Sequence, residues 1–79
     1  MENFTSRLVE AIKASGKLQT QIAKEVGVAK QCISDFKSGK SNPSIQTLTL
    51  LCISLDVSAD YLLGLTDEMG NRIANDDGL

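Results

Sequence analysis

From Phe4 to Leu65 apolar residues recur three and four positions apart, and Gly, Pro or Ser breaks the rhythm at intervals. That period belongs to helices with one buried face. Over residues 4–14, Phe4, Leu8, Ala11 and Ile12 share a face, while Thr5, Arg7, Glu10 and Lys13 point elsewhere. Asn3 is placed to cap this helix, and Ser15-Gly16 ends it. Ile22, Ala23 and Val26 form a stripe over residues 19–26; Ile33 and Phe36 continue it over 30–38. Pro43 bars helix through Asn42. Ser44 then caps a fourth helix, 45–55, whose inward stripe is Ile45, Leu48, Leu51 or Cys52, and Leu55. Leu50 and Ile53 widen that stripe, so this helix is expected to be buried on more than one side. Ser58 caps a short fifth helix, 59–63, closed by Gly64. Alternating strand patterns are absent over any useful length, and the reading is all-α.

The centre of the pattern is Gln19 to Gly39. Gly27 follows the last periodic residue of its helix, the place of a left-handed cap that needs no Cβ. Val28 plugs the turn, and Gly39 closes the next helix in the same way. Two short helices joined this tightly cross steeply and bury Ala23, Val28 and Ile33 against each other. That is a helix-turn-helix, whose second helix enters the DNA major groove. Leu18 and Ala29 stand where a capping Ser or Thr is preferred, at a cost of about 1 kcal/mol each. The weak caps either leave backbone N–H groups free for phosphate oxygens or are simply poor. Gln19 is placed to hold a neighbouring backbone group or a phosphate.

Composition sharpens this. Apolar residues are 42% of the 79 and aromatics 4%, which suits a small aliphatic core in one domain at most. The domain is expected over residues 1–66, followed by an acidic, flexible tail over 67–79. No stretch reaches the length of a membrane span and no leader pattern opens the chain, so a cytoplasmic protein is expected. The net charge of −2 is unevenly spread. Residues 1–41 hold Arg7 and six lysines against Glu2, Glu10, Glu25 and Asp35, a net +3. Residues 42–79 hold Arg72 against six acids, a net −5. A basic half and an acidic half fit a molecule with one phosphate-facing side, or arise by chance on a solvated surface.

Cys32 and Cys52 lie twenty positions apart in a chain without His, so no metal site is expected and free thiols are. There is no Gly-rich phosphate loop and no paired acid beside a nucleophile. An enzyme is not expected, nor any cofactor.

The recurring elements are Gln19, Ile22-Ala23, Gly27-Val28, Ile33-Ser34, Gly39-Lys40, Asn42-Pro43-Ser44, Leu48 and Val57-Ser58 through Tyr61-Leu62-Leu63-Gly64. Together they resemble the helix-turn-helix domain of the Cro/C1 repressor (XRE) family, over residues 4 to about 65. The resemblance implies a five-helix, lambda-repressor-like DNA-binding domain of phage-repressor type, which binds a roughly palindromic operator as a dimer. Three departures stand out. Lys37 occupies a position where the family often has Glu paired to the residue matching Arg7, so Arg7 needs another acceptor or stays solvated. Asp35 falls where a basic or amide residue is usual near the bases. Leu18 and Ala29 are the missing caps.

Helical geometry points Ile33 and Phe36 inward and Lys30, Gln31, Ser34 and Asp35 outward, as base contacts. Gln31 suits adenine N6 and N7, Lys30 guanine O6 and N7, and Asp35 cytosine N4. Cys32 either meets a thymine methyl or packs on the preceding helix. Phosphate contacts are expected from Gln19, Thr20, Lys24, Lys37, Lys40, Ser41 and Asn42. Tyr61, Leu62 and Leu65 carry more apolar surface than so short a helix buries alone, and they either close the core or meet a second copy in a homodimer. The expected function is a sequence-specific regulator of transcription, a repressor, whose partner is double-stranded DNA. No ligand-sensing or self-cleaving domain is expected within the 79 residues. The competing reading is an antitoxin or protein-interaction module, whose acidic tail folds on a protein antagonist or a basic toxin.

Overall fold

The computed structural model describes residues 2–67 and 69, with side chains from Phe4 onward. Five helices follow one another: α1 Glu2–Ser15, α2 Gln19–Val26, α3 Lys30–Ser38, α4 Ile45–Leu55 and α5 Ala59–Leu62. No strand occurs among the described residues, and none of their helices is long and apolar enough to cross a membrane. α2 packs on both α3 and α4, and α1 lies against α3, α4 and α5.

Every helix sends one large aliphatic side chain wholly out of water: Leu8, Ile22, Ile33, Leu51 and Leu62. Phe4, Ala11, Ala23, Val26, Phe36, Leu55, Val57 and Tyr61 complete the core, with Val28, Cys32 and Leu48 packed half-buried against it. Burying one such aliphatic side chain stabilises the fold by about 1.5–3 kcal/mol. No single helix here buries enough surface to stand alone, so the five fold as one body.

The caps explain where the helices stop. Gly27 takes φ +85°, its N–H meets Ala23 O at 2.8 Å, and Val28 N–H meets the same oxygen at 3.0 Å. A Cβ at Gly27 would clash with nothing, so the requirement is the left-handed backbone itself. Ser44 and Ser58 cap α4 and α5 through their hydroxyls, which accept from Thr47 and Tyr61 N–H. α4 ends at Asp56, a non-glycine residue at φ +58° that the sequence did not mark.

Two expectations need correction. α1 already includes Glu2, so Asn3 lies inside the helix rather than at its cap. α4 is not buried on several sides: Ile45 is 85% and Ile53 65% exposed, and the buried positions are Leu51, Ser54 and Leu55. α1, α2 and α5 cover one face of α4, and the side carrying Ile45 and Ile53 is left open. Of the two roles left open for Tyr61, Leu62 and Leu65, closing the core is the one Tyr61 and Leu62 take; Leu62 is fully enclosed by the bundle. Of that trio only Leu65 is exposed. The acidic tail lies, apart from Asp67 and Met69, outside the described residues.

Two polar clusters tie the helices together at the edges. Arg7 Nη1 donates to Thr66 O at 2.6 Å and Tyr61 O at 3.3 Å, and Nη2 donates to Asp67 Oδ1 at 2.8 Å. Its guanidinium lies 4.7 Å from the Tyr61 ring centroid. With Lys37 in place of an acid on α3, Arg7 turns instead to the chain beyond α5. In the second cluster, Lys17 Nζ donates to Glu25 Oε1 at 2.7 Å and to Ser54 O at 2.6 Å. Ser54 Oγ and Gln21 Nε2 add donors to the same carboxylate at 2.7 and 3.2 Å. The α1–α2 turn, α2 and α4 are thereby joined.

The hydrogen bond from Lys17, then those from Ser54 and Gln21, hold the Glu25 carboxyl at about 2, well below its ordinary 4.5. A depressed carboxyl stabilises the fold fully above its unfolded value and loses that contribution as pH falls through the folded one. Urea midpoints are therefore expected to fall as pH is lowered from above 4.5 towards about 2. Glu25→Gln should flatten that fall, and an unchanged acid profile in the variant would contradict the assignment.

Candidate nucleic-acid interface

The α2–α3 pair is rigid because its apolar side is anchored. Ile22, Ala23 and Val26 face inward from α2, and Ile33 and Phe36 from α3. The remaining positions of α3 must then point outward. Lys30 and Gln31 are exposed, and Ser34 and Asp35 are half-buried on the same side. Around them, Thr20, Lys24, Lys40, Ser41 and Asn42 are exposed and Lys37 is half-buried. Cys32 and Cys52 are free thiols, both half-buried, and burial raises the Cys52 thiol. Cys32 takes its packing role against the core.

Both helix starts on this face are bare. Leu18 and Ala29 have extended backbones, at ψ 150° and 151°, and neither side chain caps its helix. No acid sits in the first turn of either helix. The partial positive charge of a helix N-terminus is thus left uncompensated twice, an arrangement suited to anions.

Gln19 stands between the two helices. Its Nε2 donates to Ser34 Oγ at 2.7 Å and to Lys30 O at 3.2 Å, and its Oε1 accepts from Lys37 Nζ at 3.0 Å. Both amide hydrogens are engaged within the protein. Of the two roles open to Gln19 in the sequence, the structure displays the hold on a neighbouring backbone group, at Lys30 O. The clamp fixes three outward residues at once. Ser34 accepts through Oγ and keeps its hydroxyl hydrogen to donate, and Lys37 is drawn to the α2 side of α3. A second bond lies along α3, where Gln31 Nε2 donates to Asp35 Oδ1 at 2.9 Å.

The helix-turn-helix family model matches residues 8–62. The chain belongs to the Cro/C1-type helix-turn-helix family. It is 34% identical over 70 residues to YobD, an uncharacterized HTH-type transcriptional regulator of Bacillus subtilis, with 89% of this chain and 62% of that protein aligned. It is also 34% identical over 64 residues to the cryptic phage CTXphi transcriptional repressor RstR of Vibrio cholerae, covering 78% of this chain and 57% of the repressor. The chain thus spans about 60% of the length of these two relatives. Among solved structures, the N-terminal DNA-binding domain of SinR from Bacillus subtilis superposes with a TM-score of 0.68 at 34% identity, covering 76% of this chain and 88% of that one. The family is one of DNA-binding regulators rather than enzymes.

Sequence reasoning missed the Lys17–Glu25–Ser54 cluster and the Gln31–Asp35 bond. The second was in reach, since an amide four residues before a carboxylate on a helix surface is a known pairing. The first spans separate helices and had no local signal.

Each hydrogen bond of the Gln19 clamp contributes about 0.5–1.5 kcal/mol net, and less where water competes. Gln19→Ala is expected to lower the unfolding free energy by about 1 kcal/mol in urea titrations, with an unchanged denaturant slope. Wild-type stability in the variant would mean that the clamp is exchanged for water in solution.

Proposed function

We propose that the chain is a sequence-specific DNA-binding regulator of transcription, a repressor, that lays α3 in the major groove of a palindromic operator as a dimer. The observation that carries this reading is the outward face of α3. Four polar side chains with donors and acceptors stand on a helix whose opposite side is locked into the core. Family membership and the naming of RstR as a transcriptional repressor support it. Lys30, Gln31 and Ser34 then meet base edges, with Asp35 beside them. Thr20, Lys24, Lys37, Lys40, Ser41 and Asn42 take phosphates, and the bare start of α2 offers backbone N–H groups to another. Gln19 contributes by holding Ser34 and Lys37 in place. For the dimer, Leu65 together with Ile45 and Ile53 of α4 supplies apolar surface that the fold leaves uncovered.

Fluorescence anisotropy with a duplex from the gene's own upstream region and a scrambled duplex, across a salt series, tests the reading. Specific binding is expected to exceed scrambled binding by ~10³ or more. Gln31→Ala should lose about 1–3 kcal/mol on the specific duplex and little on the scrambled one. Equal, weak binding of a range of upstream duplexes, with no effect of Gln31→Ala, would count against α3 as a base reader. It would favour the protein-interaction reading, for which the exposed Ile45 and Ile53 offer a surface.

A further inference from the structure

The outward face of α3 carries a hydrogen bond between two of its own residues, and its valences have a consequence for which base can be read. Gln31 Nε2 donates to Asp35 Oδ1 at 2.9 Å, one helical turn further on. A carboxylate only accepts, so the amide has one orientation: nitrogen towards Asp35, carbonyl oxygen away. Asp35 is held at its backbone. Its backbone carbonyl receives Lys40 N–H at 2.9 Å, Ser41 N–H at 3.4 Å and Ser38 Oγ at 3.2 Å, the bonds that close the end of α3.

An untethered glutamine amide addresses either purine. With one N–H and the carbonyl side by side it matches adenine, donating to N7 and accepting from the N6 amino group. With both hydrogens turned to the base it can donate to N7 and O6 of guanine, two acceptors. The second pose needs both N–H groups. Once Asp35 holds one, the edge left on Gln31 is a single donor beside an acceptor. That edge fits adenine. Against guanine it sets the carbonyl oxygen facing O6, acceptor against acceptor.

We propose that Asp35 is a positioning residue that makes Gln31 an adenine reader and excludes guanine, without touching the base itself. The inference rests on the proposed placement of α3 in the major groove. It also gives a role to an acid on a face otherwise suited to phosphate. The negative charge weakens attraction to any duplex, and the bond it makes confers discrimination. Because the bond exists in the protein without DNA, the amide is already ordered before binding, which lowers the entropy cost of association.

The test uses the full 79-residue chain, wild type and the variants Gln31→Ala, Asp35→Ala and Asp35→Asn. Wild type selects duplexes from a library of randomised sequence, and all four proteins are titrated against the selected duplex and its single-base variants. Wild type is expected to prefer adenine to guanine at one position by roughly 5- to 150-fold. Gln31→Ala should abolish the preference at that position. Asp35→Ala should reduce it to about threefold or less while the guanine duplex binds more tightly. Asp35→Asn should retain it, because the Asn carbonyl accepts the same bond. In DNA-free protein, the Gln31 side-chain amide resonances should move in Asp35→Ala and hold in Asp35→Asn.

Adenine preference intact in Asp35→Ala overturns the inference and leaves the groove reading standing. So does loss in Asp35→Ala of a cytosine preference at a neighbouring base pair, which would make Asp35 a direct reader. Amide resonances unmoved in Asp35→Ala overturn it without reference to DNA. A wild-type chain that selects no sequence at all overturns the groove reading, and this inference falls with it.

Discussion

The five largest side chains that lose all contact with water come one from each helix, and everything outside them is placed by that exclusion. Leu8, Ile22, Ile33, Leu51 and Leu62 come from five elements separated by turns, yet they meet in one core. In a domain this small the apolar area gained on folding only just exceeds the entropy lost, so no core position is spare. The orientation of α3 follows directly. Once Ile33 and Phe36 are inside, Lys30, Gln31, Ser34 and Asp35 have only the outside left. The outward face is what the packing of the inward one leaves over.

Polar contacts then refine what packing has set. Gly27 stops α2 in a left-handed cap, so α3 starts three residues later and packs back on α2. Gln19 bridges the two helices at their exposed ends. Lys17, Glu25 and Ser54 bridge α2 to α4 on another side. Arg7 gathers α5 and the chain beyond it through two carbonyls, the Asp67 carboxylate and the Tyr61 ring. The contact with Asp67, an almost fully exposed partner, contributes little in water. The two carbonyls give Arg7 its positional value.

Much of this was legible before any coordinates. The helical period located all five helices, and Gly27, Gly39, Ser44 and Ser58 marked their ends, because caps are local chemistry. The missing caps at Leu18 and Ala29 were visible for the same reason. What failed was the question of which apolar residues face the core when a helix has too many. α4 offers Ile45, Leu48, Leu50, Leu51, Ile53 and Leu55, and periodicity alone does not say which side its neighbours will cover. Ile45 and Ile53 lie on the uncovered side. α5 carried an alternative that sequence alone left open. Tyr61 and Leu62 were plausible contacts for a second copy only while α5 was considered alone; packed on α1 and α4 it is core. On α3, side-chain direction was right, but hydrogen-bond commitment was not seen: Asp35 already accepts from Gln31 within the helix.

The central claim is that the α2–α3 face, built outward from the core, is the surface that meets DNA. Its most direct test is to titrate the isotopically labelled chain with a duplex it has selected and to follow every backbone and side-chain amide by NMR. The account predicts the largest shifts at Thr20, Lys24, Lys30, Gln31, Ser34 and Asp35 and through Lys40–Asn42, with the side of α4 that bears Ile45 and Ile53 moving only as far as a second copy binds there. Shifts centred on α4 and α5, with α3 unmoved, would contradict it.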